Sequence, residues 1–405
     1  MYLTHLSLTN FRSFSRLDVD VPRSAILLLG DNAQGKTSLL EAIYYLSTFT
    51  SLQAGSHREL VNFTASRDDL AVARITAEYQ RAGKKHRLEV RIIQEKNGNG
   101  GLRVRKEVLL DGTKQKMNAV IGHFNAVLFL PQMLHIIDGA PAERRRYLNL
   151  ALSQTNTRYT AALSAYHKLI TQRNALLKNL WQNRSNDLDQ LDYWDEQVAV
   201  TGATLIHARI EAIQEIEHLA ALVHHDLTRG QEVLRVIYRP SYDPHTLPAG
   251  QMQFDLAAPV DRGGFSEEDI AAGFQEALLA ARQDEILRGV TTIGPHRDGL
   301  HFLGNSIDLG AYGSRGQIRT ALLALKIAEI SWLKEKNGHW PVLLLDEVLA
   351  ELDPHRRSDL LGRLSELEQA LLTTTDIDLF NHDFSENAAL WQLDGGQLQN
   401  GVKLK

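Results

Sequence analysis

Apolar and polar positions alternate along residues 2–8 and again along 17–21, with Asn10-Phe11-Arg12-Ser13-Phe14 between them. The chain is therefore expected to open on two strands joined by a turn. A short unbroken apolar run, 25–29, comes next, and 38–46 repeats its apolar residues at helical spacing. Alternation returns at 70–79 and 86–93, joined by the turn Arg81-Ala82-Gly83-Lys84, and at 103–110 after the Gly/Asn-rich loop 97–101. These three predicted strands make a β-meander, and 126–130 is a further apolar strand.

Pro141 suits a first helical turn, and from there to about residue 287 the pattern is mainly helical. Tyr159, Ala162, Leu163, Tyr166, Leu169, Ile170, Leu176, Leu177 and Leu180 fall on one stripe. Leu191, Trp194, Val198, Leu205, Ala208, Ala212, Ile216, Leu219 and Val223 fall on a second, and the polar link 182–189 makes the pair a helical hairpin. Arms of about 25 to 40 residues span roughly 40 to 60 Å, too short for a long coiled coil, so both stripes read as core packing. Segments 233–238 and around Phe254 read as strands, and Ser266 caps a helix opening with Glu267-Glu268-Asp269.

In the last third a Gly-rich loop, Tyr312-Gly313-Ser314-Arg315-Gly316-Gln317, precedes a long helix at 318–334. The continuous apolar run from Pro341 to Leu345 reads as a strand buried on both faces, and 370–375 as another, ending at Asp376. The expected class is α/β: one domain built from 1–140 and 291–405, with a mainly helical domain, 141–290, inserted.

Composition narrows the class. At 405 residues and 43% hydrophobic content the chain can bury a large core. No apolar run approaches the roughly 18 to 20 residues that cross a bilayer, which predicts a soluble protein. The absence of cysteine excludes disulfides and thiolate metal sites and fits a reducing cytoplasm. Net charge is -5, yet residues 81–120 hold eleven Lys/Arg against four Asp/Glu. That meander, with Lys84, Lys85, Arg87, Arg103 and Arg105, is either a solvated strand face or a surface that tracks nucleic-acid phosphates.

Between strand 25–29 and helix 38–46 lies Gly30-Asp31-Asn32-Ala33-Gln34-Gly35-Lys36-Thr37, a phosphate-loop pattern in its proper context. Backbone N–H groups wrap a phosphate only where side chains are absent, which Gly30 and Gly35 provide, and the next helix directs its positive end at the anion. Lys36 is expected to reach the β- and γ-phosphates of a nucleoside triphosphate and Thr37 to ligate Mg²⁺. Asp346 and Glu347 end the apolar strand as the second half of such a site, Asp346 in the Mg²⁺ shell and Glu347 polarising water; taken alone, the pair also suits a helix cap. Arg12 is either a solvated turn residue or a contact reaching back to nucleotide.

The phosphate loop, Ser314-Arg315-Gly316-Gln317, Leu343-Leu344-Leu345-Asp346-Glu347 and Ala350-Glu351-Leu352-Asp353 occur in the order seen in ABC-type ATPase heads. Asn10 to Phe14, the stretch 139–147, Arg173-Asn174-Ala175-Leu176-Leu177-Lys178 and Gly294-Pro295-His296-Arg297-Asp298 make the chain resemble, nearly end to end, the RecF family of bacterial recombinational-repair ATPases. The resemblance implies a weak, DNA-stimulated ATPase that dimerises with ATP, Ser314, Gly316 and Gln317 of one subunit capping the γ-phosphate held by Lys36 and Thr37 of the other. It implies Arg12 as a nucleotide contact and Asp353 as a contact across the dimer. It also implies binding at gaps or single-strand/double-strand junctions, with RecR and RecO as partners in placing RecA on DNA. Gln132 matches the metal-linked glutamine of ABC heads, where RecF proteins more often carry an acid. Leu52-Gln53 stand where they usually carry Phe-Arg, and Thr374, Thr375 and Asp376 occupy the position of the ABC switch histidine. A transporter's ATPase subunit or an SMC-like protein would share the loop, SRGQ and DE motifs; the inserted domain and basic meander weigh against the first, the missing long heptads against the second.

Overall fold

The computed structural model describes residues 1–96, 102–183, 188–245 and 260–400. The loop at 97–101, residues 184–187 of the link at 182–189 and the strand expected around Phe254 lie outside the described residues. The chain divides into two compact units, Met1–Met133 with Glu329–Lys405, and Leu134–Ala328. The division falls earlier and later than the 140/141 and 290/291 boundaries read from the sequence. Residues 291–328 group with the helical unit because the strand Gly299–Gly304 pairs with Leu234–Arg239 there.

Two sheets build the first unit. One runs Gln397–Asn400, Ala389–Asp394, Ala25–Leu29, Ala370–Thr374, Val342–Asp346, Ala126–Phe129, and is parallel except at the first edge. Three of its four inner strands read AILLL, ALLTT and VLLLD, the continuous apolar texture of strands covered on both faces. The other sheet is antiparallel: Phe14–Asp20, Tyr2–Phe11, Leu70–Arg81, Lys84–Lys96, Leu102–Leu110, Thr113–Gln115. Leu6, Leu8, Ile75, Ala77, Leu88, Val90 and Val108 line its buried face. The helix Lys36–Thr48 touches both sheets and is buried along almost all of its length, so both ends are held in place.

The second unit contains the hairpin of Thr157–Asn183 and Gln190–Leu227, with Glu267–Arg288 packed against both. Arg173 bonds Asp195 while Tyr159 bonds Arg209, so contacts move back along one helix as they advance along the other, and the two are antiparallel. Ser266 closes a capping box with Asp269.

Candidate nucleotide site

Lys36, Thr37, Asp346 and Glu347 meet at the carboxyl ends of the parallel strands Ala25–Leu29 and Val342–Asp346, which flank Ala370–Thr374. Gly30 and Gly35 carry no side chain because none fits. A Cβ on Gly30 would stand 2.5 Å from the carbonyl oxygen of Leu393, and one on Gly35 would stand 2.7 Å from Ser13 Oγ, at a φ of 107°. The first turn of Lys36–Thr48 has neither an acidic residue nor a side-chain cap, which leaves its N–H groups and dipole available to an anion.

Lys36 is buried, its Nζ donating to the carbonyl of Gly30 at 2.5 Å and lying 3.1 Å from Glu347 Oε1. Thr37 Oγ1 donates to Asp346 Oδ2 at 2.7 Å, across 309 residues of sequence. Glu347 sits at φ 52°, a left-handed conformation that costs a non-glycine residue of order 1 kcal/mol and turns its carboxylate out of the strand line. The side chain of Gln34 is tied to the turn after the strand Ala389–Asp394, accepting the Gly395 N–H at 2.6 Å. Alternation in 389–394 is weak, and this strand was not anticipated from the sequence.

The other expected residues sit as follows. Arg12, at φ 51° in the turn between the first two strands, donates from Nε and Nη2 to Glu41 at 2.7 and 2.9 Å. Glu41 lies inside Lys36–Thr48, so Arg12 braces the phosphate-loop helix. Gln132 is exposed in the turn Pro131–Leu134, just past the strand beside Val342–Asp346, and makes no hydrogen bond to Thr37 or Asp346. Asp353 caps Pro354–Leu364 by accepting the N–H groups of His355 and Arg356, and the Arg356 N–H holds its carboxyl below the ordinary range.

Within the helical unit, Ser314-Arg315-Gly316-Gln317 is a capping box. The Gln317 N–H donates to Ser314 Oγ at 3.2 Å, and Gln317 Oε1 accepts the Ser314 N–H at 3.0 Å. That arrangement uses an acceptor of Ser314 and leaves its O–H proton to donate. The Gln317 amide is held in turn by Glu232 at 3.0 Å, a residue with no signal in the sequence.

The stretches that gave the resemblance its specificity have structural work. Arg173, at a core position of its helix, donates to Asp195 at 2.7 Å, Glu285 at 2.6 Å and Thr291 at 2.8 Å. Asn174 accepts the Thr291 N–H at 2.7 Å. Asp298 accepts from Arg209 at 2.8 Å and from Tyr238 and the Ser241 N–H. His296 lies between the Tyr166 hydroxyl and the Thr291 carbonyl, and burial pushes it down to about 4.

In the basic meander, Lys84 is exposed, while Lys85 pairs with Glu78 at 2.7 Å and Arg87 lies 3.8 Å from Glu89. Arg105 spans Glu95 and Glu107 at 3.3 and 2.5 Å, and Arg103 stands opposite Glu95. Much of the local excess charge is therefore neutralised in place. A second cationic row crosses the same sheet: Arg74 faces Arg91 directly on one side and Thr9 on the other, and Thr9 faces Arg16, with Arg91 itself paired to Glu89 at 2.6 Å.

A parallel sheet that brings a phosphate loop and a strand-end acid pair together, beside an antiparallel sheet and with a helical insertion, defines an ABC-type ATPase head. The RecF/RecN/SMC N-terminal domain model matches residues 2–393. The chain is 40% identical to the DNA replication and repair protein RecF of Chloroflexus aggregans over 99% of its own length and 100% of that protein. It is 35% identical to that of Lacticaseibacillus paracasei over 98% and 99%. A solved structure of the recombination mediator protein RecF with ATP, in the RecFOR pathway, superposes with TM-score 0.82 at 27% identity, covering 99% of this chain and 98% of that one. An SMC head shares the fold, with TM-score 0.52 at 13% identity. The chain belongs to the RecF family. The transporter alternative is set aside by these full-length matches, and among the described residues no helix is long and apolar enough to cross a membrane.

Proposed function

We propose that this chain is an ATP-driven DNA-binding protein of recombinational repair and replication maintenance, acting in the cytoplasm. The observation that carries the reading is the meeting of Lys36, Thr37, Asp346 and Glu347 at one strand edge, in a chain similar over its whole length to proteins named for replication and repair. Gly30 to Thr37 hold the phosphates of ATP. A hydroxyl and a carboxylate already 2.7 Å apart are an oxygen pair suited to Mg²⁺, so Thr37 and Asp346 would hold the ion, with Gln132 a further ligand; it would neutralise charge on the phosphates. Glu347 polarises the water that attacks the γ-phosphorus, drawing off its proton as the new P–O bond forms and the bond to ADP breaks.

Ser314, Gly316 and Gln317 of a second copy close over the γ-phosphate, and Asp353 makes a further contact across the dimer, so that ATP joins two subunits and hydrolysis, stimulated by DNA, releases them. The dimer binds gapped or junction DNA and works with RecO and RecR to place RecA, as suggested by the pathway named for its structural neighbour. The test is sedimentation velocity with ATP, ADP or no nucleotide, with and without gapped DNA. Glu347→Gln is expected to keep ATP binding, lose turnover by about 10²- to 10⁴-fold and persist as a dimer on DNA. Ser314→Arg is expected to bind ATP as a monomer. A wild-type chain that stays monomeric on DNA with ATP would sink the reading.

A further inference from the structure

The switch position expected at 374–376 leaves open what orients the acid pair, and the neighbouring strand supplies an answer. Thr373 is registered beside Asp346, and is only 4% exposed. Its hydroxyl donates to Asp346 Oδ1 at 2.7 Å, and its oxygen accepts the backbone N–H of Glu347 at 3.0 Å. The other carboxylate oxygen, Oδ2, takes the Thr37 hydroxyl at 2.7 Å. A hydroxyl has one proton and two lone pairs, so one atom of Thr373 contacts both acidic residues through opposite polarities.

We infer that Thr373 is a positioning residue of the nucleotide site. By holding Oδ1 it fixes the rotation of the Asp346 carboxylate and keeps Oδ2 turned to Thr37. By holding the Glu347 N–H it stabilises the left-handed turn that brings the Glu347 carboxylate to Lys36. Groups that orient a metal-binding carboxylate contribute strongly to the site although they touch no ligand themselves. The inference rests on the nucleotide-site reading given above.

Thr373→Val keeps volume and β-branching and removes the hydroxyl, while Thr373→Ser keeps the hydroxyl. Binding of a fluorescent ATP analogue is titrated with Mg²⁺, and separately measured in EDTA. In Thr373→Val the Mg²⁺ concentration for half-maximal binding is expected to rise by about 10- to 100-fold, with affinity in EDTA and the melting temperature little changed, and Thr373→Ser is expected to restore the wild-type requirement. Thr373→Ala replaces the valine variant should that one fail to fold. An unchanged Mg²⁺ requirement, an equal loss in EDTA, or a serine variant as poor as valine would overturn the role. Wild-type chain that binds no nucleotide under either condition would overturn the parent reading instead.

Discussion

The two units each concentrate charge, and they use it in opposite ways. In the first, Lys36 and Glu347 meet at a strand edge where the Glu347 side chain is 38% exposed, so the ion pair opens to solvent and a ligand can compete for both members. In the second, Arg173, Asp195 and Glu285 are all 0% exposed, and the arginine's Nε and Nη1 are spent on its neighbours. The first cluster has capacity to give to a substrate. The second is closed to solvent, with Arg173 Nη2 buried and without a partner among the described residues, so no substrate reaches it, and its effect is to align three helices. Strings that distinguish a family can therefore mark its architecture as well as its chemistry.

The largest expected effect comes from breaking the closed cluster. Arg173→Met leaves Glu285 buried and unpaired, which is expected to cost about 3–5 kcal/mol. For a unit of this size that lowers the melting temperature by roughly 6–20 °C. Replacing Arg173, Asp195 and Glu285 together with apolar residues should recover most of the loss, because no uncompensated charge remains. Calorimetry on the two variants checks both statements, and equal melting temperatures for the single variant and wild type would remove the contrast between the units.

Next in size is Lys36→Met. Here a buried cation is removed from a site built to receive phosphate, so ATP affinity is expected to fall at least a hundredfold, about 2.7 kcal/mol, while stability holds or rises. Titration calorimetry and a melting curve on one preparation separate the two readouts. A loss of stability comparable to that of Arg173→Met would mean that Lys36 is structural as well.

The difference in how legible the two clusters were has a physical origin. Phosphate binding constrains contiguous residues, since Gly30, Gly35, Lys36 and Thr37 must present one short loop, and the apolar strand before Asp346 announces burial on both faces. Those features survive as local text. Arg173 occupies a position between Ile170 and Leu177 where helical periodicity calls for an apolar side chain, and its partners lie on two other helices. Hydrophobic patterning has no symbol for a charge whose burial is made tolerable from elsewhere in the chain. Thr373 was hidden for the same reason: three threonines at a strand end look alike until register places one beside Asp346. The strand Gly299–Gly304 and the hairpin after Ala389 were missed because they are short and only half patterned.

The smallest effect per residue, and the sharpest test of where charge is left for a partner, concerns the antiparallel sheet. Lys85 and Arg105 are satisfied by Glu78, Glu95 and Glu107, so the local excess of positive charge overstates what a polyanion could meet. Arg91 is likewise met by Glu89 at 2.6 Å, which leaves Arg74, directly opposite it, and Arg16 as the cations of this row with charge to offer an anion. If DNA phosphates meet them, Arg16 and Arg74 replaced together by Ala should flatten the slope of log K against log salt by roughly 1.8 on duplex DNA, about 0.9 per lost contact. Replacing Lys84, Lys85 and Arg87 should flatten it less, by about 0.9 if Lys84 alone is unspent. Because phosphate contacts carry no base information, both losses should be the same for any sequence, and Arg74→Ala alone should leave the melting temperature unchanged or higher. Fluorescence anisotropy between 50 and 200 mM salt, with ATP present, reads the slopes. A larger change from the hairpin triple would move the contact to the turn at Ala82-Gly83, and no change from either would make this a solvated face and send the search for DNA contacts to the helical unit.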